Sequence, residues 1–175
     1  MAKNNKEKLD KLPPQSIEAE QSVLGSLLLN KKAIIKVADI LRPEDFYRDT
    51  HRHIYETMIE LFEKNEAIDI LTVSSRLETK ELLKEIGGST YLTNLVNSVP
   101  TASNVVYYAK IVQRKKLLRD LIDAAYDITQ LSFEESQDIE NILDQAEKNI
   151  FSGSQKSLKQ YFTPIKPALE EAFDR

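Results

Sequence analysis

Residues 103–131 read SNVVYYAKIVQRKKLLRDLIDAAYDITQL, and their reading decides the fold. The stretch holds neither Pro nor Gly, so nothing in it punctuates a helix. Ser103 or Asn104 supplies an N-cap. The spacing predicts one helix over 103–131, far above the usual length. Two apolar stripes run along its second half, one through Leu117, Leu121, Ala124, Ile128 and Leu131, the other through Leu118, Ile122, Ala125 and Thr129. Both step by threes and fours, so together they make a wide apolar face. A polar turn over 132–137 follows, and then Ile139, Ile142, Leu143, Ala146 and Ile150 mark a second helix ending near Phe151. The short connection predicts an antiparallel helical hairpin. A helix half as long cannot cover both stripes of its partner. The hairpin is therefore expected to expose apolar surface and to associate through Leu117, Leu118, Leu121, Ile122, Ala125, Ile128, Ile139 and Leu143.

Upstream, the pattern is that of a compact all-helical unit over 15–101, preceded by a charged arm over 1–14 that reads as disordered. Ser16 caps a first helix, Glu18 and Glu20 sit in its positive first turn, and Asn30 can end it. Gly25 lies inside that helix at some cost, which marks close packing of another backbone. Further helices are expected over 33–41, 49–64, 69–77, 80–86 and 90–97. The third carries a buried stripe of Ile54, Tyr55, Met58, Leu61 and Phe62, Asp69 caps the fourth, and Gly87-Gly88 stops the fifth in the left-handed region. After the hairpin, 152–159 is small and polar and reads as a linker. Beyond it, Thr163-Pro164 starts a helix whose apolar face holds Ile165, Ala168, Leu169, Ala172 and Phe173. That helix has no core of its own and is expected to pack on something outside this chain, so 152–175 reads as a linker with a detached linker helix.

Composition narrows the function. The chain has 175 residues, 41% of them hydrophobic, a formal charge of −4 and no Cys. The length suits one domain, or a domain with an appendage. No apolar run is long enough for a membrane span, and the charged start MAKNNKEKLDKL lacks the apolar core of a secretory signal. The lack of Cys fits a cytosolic protein. Net acidity argues against a protein whose main task is gripping phosphate backbone.

Catalytic chemistry finds little support. The four Gly build no phosphate-binding loop, and with no Cys and two His there is little for a zinc site. His51 and His53 are two apart, on different faces of a helix, and read as ordinary surface or boundary residues. The best basic cluster is Lys110, Arg114, Lys115, Lys116 and Arg119. Its ordinary reading is a solvated helix face; the alternative is weak nucleic-acid contact, without interleaved aromatics for stacking. Tyr91, Tyr107 and Tyr108 read equally as interface anchors or as core-edge residues.

Five collinear segments then stand out: LPPQSIEAEQSVLGSLL, LRPEDFYRDTHRHIYETM, IDILTVSSRL, EIGGSTYLTNLVNSVPTASNVVYYAKIV and ILDQAEKNIF. Together they resemble, in order over 12–151, the N-terminal part of the bacterial replicative DNA helicases of the DnaB type. The resemblance implies an all-α N-terminal domain joined by a linker to a RecA-like ATPase motor, which this chain lacks. It would then be a fragment or a truncated gene product. ATP and Mg would belong to the missing motor, and single-stranded DNA would be held only by the full ring, leaving this chain with no cofactor and no catalysis. TPIKPALEEAFDR looks like the family's linker helix, which packs on a neighbouring motor. The hairpins would pair into dimers, and three pairs would form the collar of a hexamer. That collar would dock the C-terminal domain of primase, and in some systems a loader. Glu18, Tyr91, Ile122 and Ile128 match the family's primase contacts. A bacterial, cytoplasmic and nucleoid-associated site of action is implied. The competing readings are a nucleic-acid-binding module acting through 110–119 and a truncated helicase paralogue that regulates a full-length ring.

Overall fold

The computed structural model describes residues 11–100 and 104–152, and all regular structure among them is helical. Of the linker and linker helix expected over 152–175, everything from 153 on, with Ile165, Leu169, Ala172 and Phe173, lies outside the described residues, as do residues 1–10 of the arm expected over 1–14; Ser152 ends the last described helix. The chain divides into two compact units between Lys116 and Leu117, part-way along its longest helix.

The first unit is organised around α1, Ile17–Leu29. Ser16 caps it, its Oγ accepting the Ala19 N–H at 3.3 Å. Nearly every face of α1 is covered: Ala19, Val23, Leu24, Leu27 and Leu28 are buried, and so are Glu20, Ser22 and Ser26. A helix buried all round belongs at the centre of its unit. Gly25 permits this, because a Cβ there would collide with the Leu95 carbonyl and the Val99 side chain.

Against α1 pack α2 (Ala33–Ala38), α3 (Asp49–Glu63) and α5 (Gly88–Asn97), while α4 (Ile70–Thr79) packs on α3 and α5. A 3-10 turn at Pro43–Asp45 leads into α3, and Phe46 just beyond it is buried 4.9 Å, ring to ring, from Tyr55. The Tyr55 hydroxyl donates to the Leu41 carbonyl at 2.8 Å. Burial, with the nearby Asp45 carboxylate adding to it, raises the Tyr55 pKa far above the ordinary phenol value. Asp69 opens α4 through a reciprocal box: its carboxylate accepts the Thr72 N–H at 2.8 Å, and Thr72 Oγ1 accepts the Asp69 N–H at 3.0 Å. The first part of α6, Val105–Ser132, closes this core with Val105, Ala109 and Val112. In the second unit, α6 continues from Leu117, and residues 133–138 connect it to α7, Ile139–Ser152.

Several expected elements change. The helix expected over 80–86 is instead a string of turns. Glu81 adopts a left-handed φ of 60°, which ends α4 with the Leu82 N–H on the Leu77 carbonyl and the Glu81 N–H on Glu78. Asn65, φ 56°, ends α3 by the same bond pattern. Gly87, φ 102°, closes the turn before α5, which starts at Gly88 rather than at 90. α2 stops at Ala38, short of 41, although Leu41 is still buried. Phe62 is exposed and not part of the α3 stripe, because the chain turns away at Asn65 just beyond it. Asn30 ends α1 in an extended conformation, its side chain accepting the Lys32 N–H at 3.0 Å.

Candidate functional site

The second unit carries the apolar surface. On α6, Ala124 is buried, and Leu117, Leu118, Ile128 and Leu131 are half-buried. On α7, Ile142, Ala146 and Ile150 are half-buried. The remaining apolar groups face out. Ile122 is 53% exposed and Leu143 61%; Leu121, Ala125 and Ile139 are exposed as well. Ile122, Tyr126, Thr129 and Phe133, all exposed, extend one face at steps of four, three and four. Tyr126 and Phe133 were not singled out from the sequence, although their spacing from Ile122 was the available signal. Neither large ring is covered by the described residues, and such a surface is ordinarily an association face.

A different arrangement lies in the first unit, where the first turns of α1, α3 and α5 meet. The N-cap of α3, Arg48, has no side-chain cap bond of its own. Glu20 of α1, only 1% exposed, does that work from another helix: Oε2 accepts the Tyr47 N–H at 2.9 Å and Oε1 the Arg48 N–H at 3.4 Å. The positive end of α3 favours the carboxylate there. Oε1 also meets His51 Nδ1 at 2.8 Å, and His51 Nε2 meets the Tyr91 hydroxyl at 2.6 Å. Gln21 Nε2 approaches the same hydroxyl at 3.5 Å. Gly87 brings Tyr91 into place, since its left-handed φ admits the turn into α5 and a Cβ there would lie 3.0 Å from Tyr91 Cβ.

His51 is therefore not a surface or boundary histidine: it is fully buried and has a partner on each ring nitrogen. Periodicity along one helix carries no information about a carboxylate on another, so the sequence pointed to neither Glu20 nor His51. His53 is half-buried, 3.9 Å from Glu85. The Glu20–His51–Tyr91 chain of contacts ties three helix starts together. No group of three metal-ligating side chains occurs among the described residues.

The other candidates fall as follows. Glu18 is exposed and Tyr91 half-buried. Tyr107 is exposed with Tyr108 half-buried beside it, their rings edge to face at 5.6 Å. Lys110 and Arg114 are exposed, whereas Lys115, Lys116 and Arg119 are half-buried.

Comparison with known proteins gives these features a family. Residues 12–114 match the family model described as the DnaB-like helicase N terminal domain. The replicative DNA helicase DnaC of Bacillus subtilis is 44% identical over 165 residues, 94% of this chain and 36% of the relative. The replicative DNA helicase DnaB of Geobacillus stearothermophilus is 42% identical over the same shares. The chain thus spans about a third of the length of these relatives. The crystal structure of the N-terminal domain of DnaB helicase from Mycobacterium tuberculosis superposes with a TM-score of 0.75 at 42% identity, over 81% of this chain and 99% of that one. A structure described as a DnaB-like replicative helicase and its interactions with primase matches at a TM-score of 0.61 and 27% identity, over 91% of this chain and 35% of that one. With a matched segment that takes in α1 to α5 and the start of α6, this chain belongs to the DnaB-like helicase N-terminal domain family.

Proposed function

We propose that this chain is the non-catalytic collar part of a hexameric replicative DNA helicase, a platform that self-associates through α6 and α7 and docks the C-terminal domain of primase. The observation that carries this reading is the exposed apolar face of the second unit, Leu121, Ile122, Tyr126, Phe133, Ile139 and Leu143. Removing such a face from water gives association without any chemistry. The likeness to a helicase described with its primase interactions supports the choice of partner. Glu18 and Tyr91 on the first unit, and Ile122 and Ile128 on the second, are the proposed contacts. The division into a globular part over 15–101, a hairpin over 102–151 and a linker over 152–175 belongs to the same proposal. The linker helix would engage a neighbouring motor, ATP and Mg would act there, and single-stranded DNA would be held by the whole ring in the bacterial cytoplasm. A loader is a further candidate partner of the collar.

Light scattering behind a sizing column tests the proposal, run over a range of concentrations with and without the C-terminal domain of the cognate primase. Dimers or larger rings that take up the primase domain are expected. A strict monomer that ignores it would sink the reading.

A further inference from the structure

The relay ending at Tyr91 fixes the direction of a hydrogen bond as well as the place of a side chain. Glu20 already accepts the Tyr47 and Arg48 N–H groups. A carboxylate offers only acceptors, so its 2.8 Å contact with His51 requires the proton on Nδ1. With one proton on the ring, Nε2 is an acceptor. The 2.6 Å contact is then made by the Tyr91 O–H donating inward to Nε2. What Oη still offers is a lone pair, and the other group that approaches it, the Gln21 side-chain N–H at 3.5 Å, is a donor.

We infer that the buried Glu20–His51 pair fixes the Tyr91 hydroxyl as a hydrogen-bond acceptor toward a docked partner, so that this position selects a partner bearing a donor, an Arg, Lys or amide N–H, over one bearing a carboxylate or carbonyl. The inference rests on the docking reading above and deepens it by naming the chemistry of one contact. Glu20 and His51 are positioning residues here, since they act through Tyr91.

Glu20→Gln tests this, because it is nearly isosteric and reverses the relay. The amide oxygen can keep the Tyr47 N–H while the amide NH2 turns to His51 Nδ1. The ring proton then moves to Nε2, and the Tyr91 O–H is driven outward as a donor. Nitrogen-15 NMR of the full chain reads the tautomer directly, and the sequence has only two His to assign. Calorimetry with the C-terminal domain of the cognate primase reads affinity for the wild type, Glu20→Gln, Tyr91→Phe, the double variant and Tyr91→Ala.

The wild type should show the proton on Nδ1, and Glu20→Gln the proton on Nε2. Glu20→Gln and Tyr91→Phe should each weaken binding about three- to tenfold. In the Tyr91→Phe background Glu20→Gln should cost nothing further. A wild-type proton on Nε2, or on both nitrogens, overturns the inference. So does an equal loss from Glu20→Gln in both backgrounds, which would be a general structural effect. Full loss in Tyr91→Ala with no change in Tyr91→Phe also overturns it while leaving the docking reading standing. Unchanged binding in Tyr91→Ala takes Tyr91 out of the contact and overturns this inference alone, whereas a wild type that does not bind the primase domain overturns the docking reading and this inference with it. If Glu20→Gln does not fold, the wild-type tautomer and Tyr91→Phe still decide the matter.

Discussion

Gly25 and Ser26 are neighbours on α1 under opposite constraints. At Gly25 the Leu95 carbonyl fills the space a side chain would need. Gly25→Ala should therefore lower stability by about 1–3 kcal/mol, as overpacking of a filled core does, read from the urea midpoint. Ser26 is fully buried, and its hydroxyl has no hydrogen-bond partner among the described residues. Ser26→Ala removes a desolvated polar atom and gains helix propensity, so stability should hold or rise by up to about 1 kcal/mol. A clear loss there would mean that the hydroxyl has a partner after all. Gly25 was legible in the sequence because a Gly inside a helix costs stability and needs a reason. Glu20 was legible only as a first-turn acid; its partners, Tyr47 and Arg48 just before α3 and His51 in its first turn, are 27 to 31 residues away.

At the scale of elements, α3 and α4 each end on a residue with a side chain in the left-handed region, Asn65 and Glu81. Asn tolerates that conformation; Glu does so only at a cost of about 1–2 kcal/mol. Glu81 is exposed, so Glu81→Gly removes that strain without loss of packing. It should raise stability by about 0.5–1 kcal/mol after the added freedom of the unfolded chain is counted, measured as a shift in thermal midpoint. This residue also explains why the turns over 80–86 were misread as a helix. Their composition is helical, and the strained turn is held by the Leu82 N–H on the Leu77 carbonyl, with no Gly or Pro to announce it. Helix starts were legible because Ser16 and Asp69 act on their own backbone. The two helices are also tied by Glu60, which pairs with Lys80 and, at 3.4 Å, with Arg76. Burial pushes the Glu60 carboxyl up, but the hydrogen bond and charge of Lys80, and then those of Arg76, outweigh it and hold the pKa below its ordinary 4.5. A depressed carboxyl stabilises the fold above its unfolded pKa and loses that contribution as pH falls through the folded value. Between about pH 6 and about pH 3, the wild type should thus lose more stability than Glu60→Gln, and parallel curves would show that the pair adds nothing.

For the molecule as a whole, two readings of the surface differ in their response to salt. If association runs through Leu121, Ile122, Tyr126 and Phe133, its driving force is the removal of apolar area from water. Ions screen charge and leave that force intact. Each chain carries a formal charge of −4, so like chains repel at low ionic strength and salt weakens the repulsion. Assembly should therefore hold or strengthen from about 0.1 to about 0.5 M salt. Ile122→Asp should weaken it by at least about tenfold, because a carboxylate would lose its water at the seam. Tyr126→Ser should act in the same direction through lost area alone. A nucleic-acid module acting through Lys110, Arg114, Lys115, Lys116 and Arg119 would behave oppositely: its binding to single strands would collapse over the same salt range, and Ile122→Asp would leave it untouched. Sedimentation of the wild type and Ile122→Asp at both salt levels, with and without an oligonucleotide, separates the two. Assembly that falls apart with salt, or that survives Ile122→Asp, would show that the exposed face of α6 is not the seam.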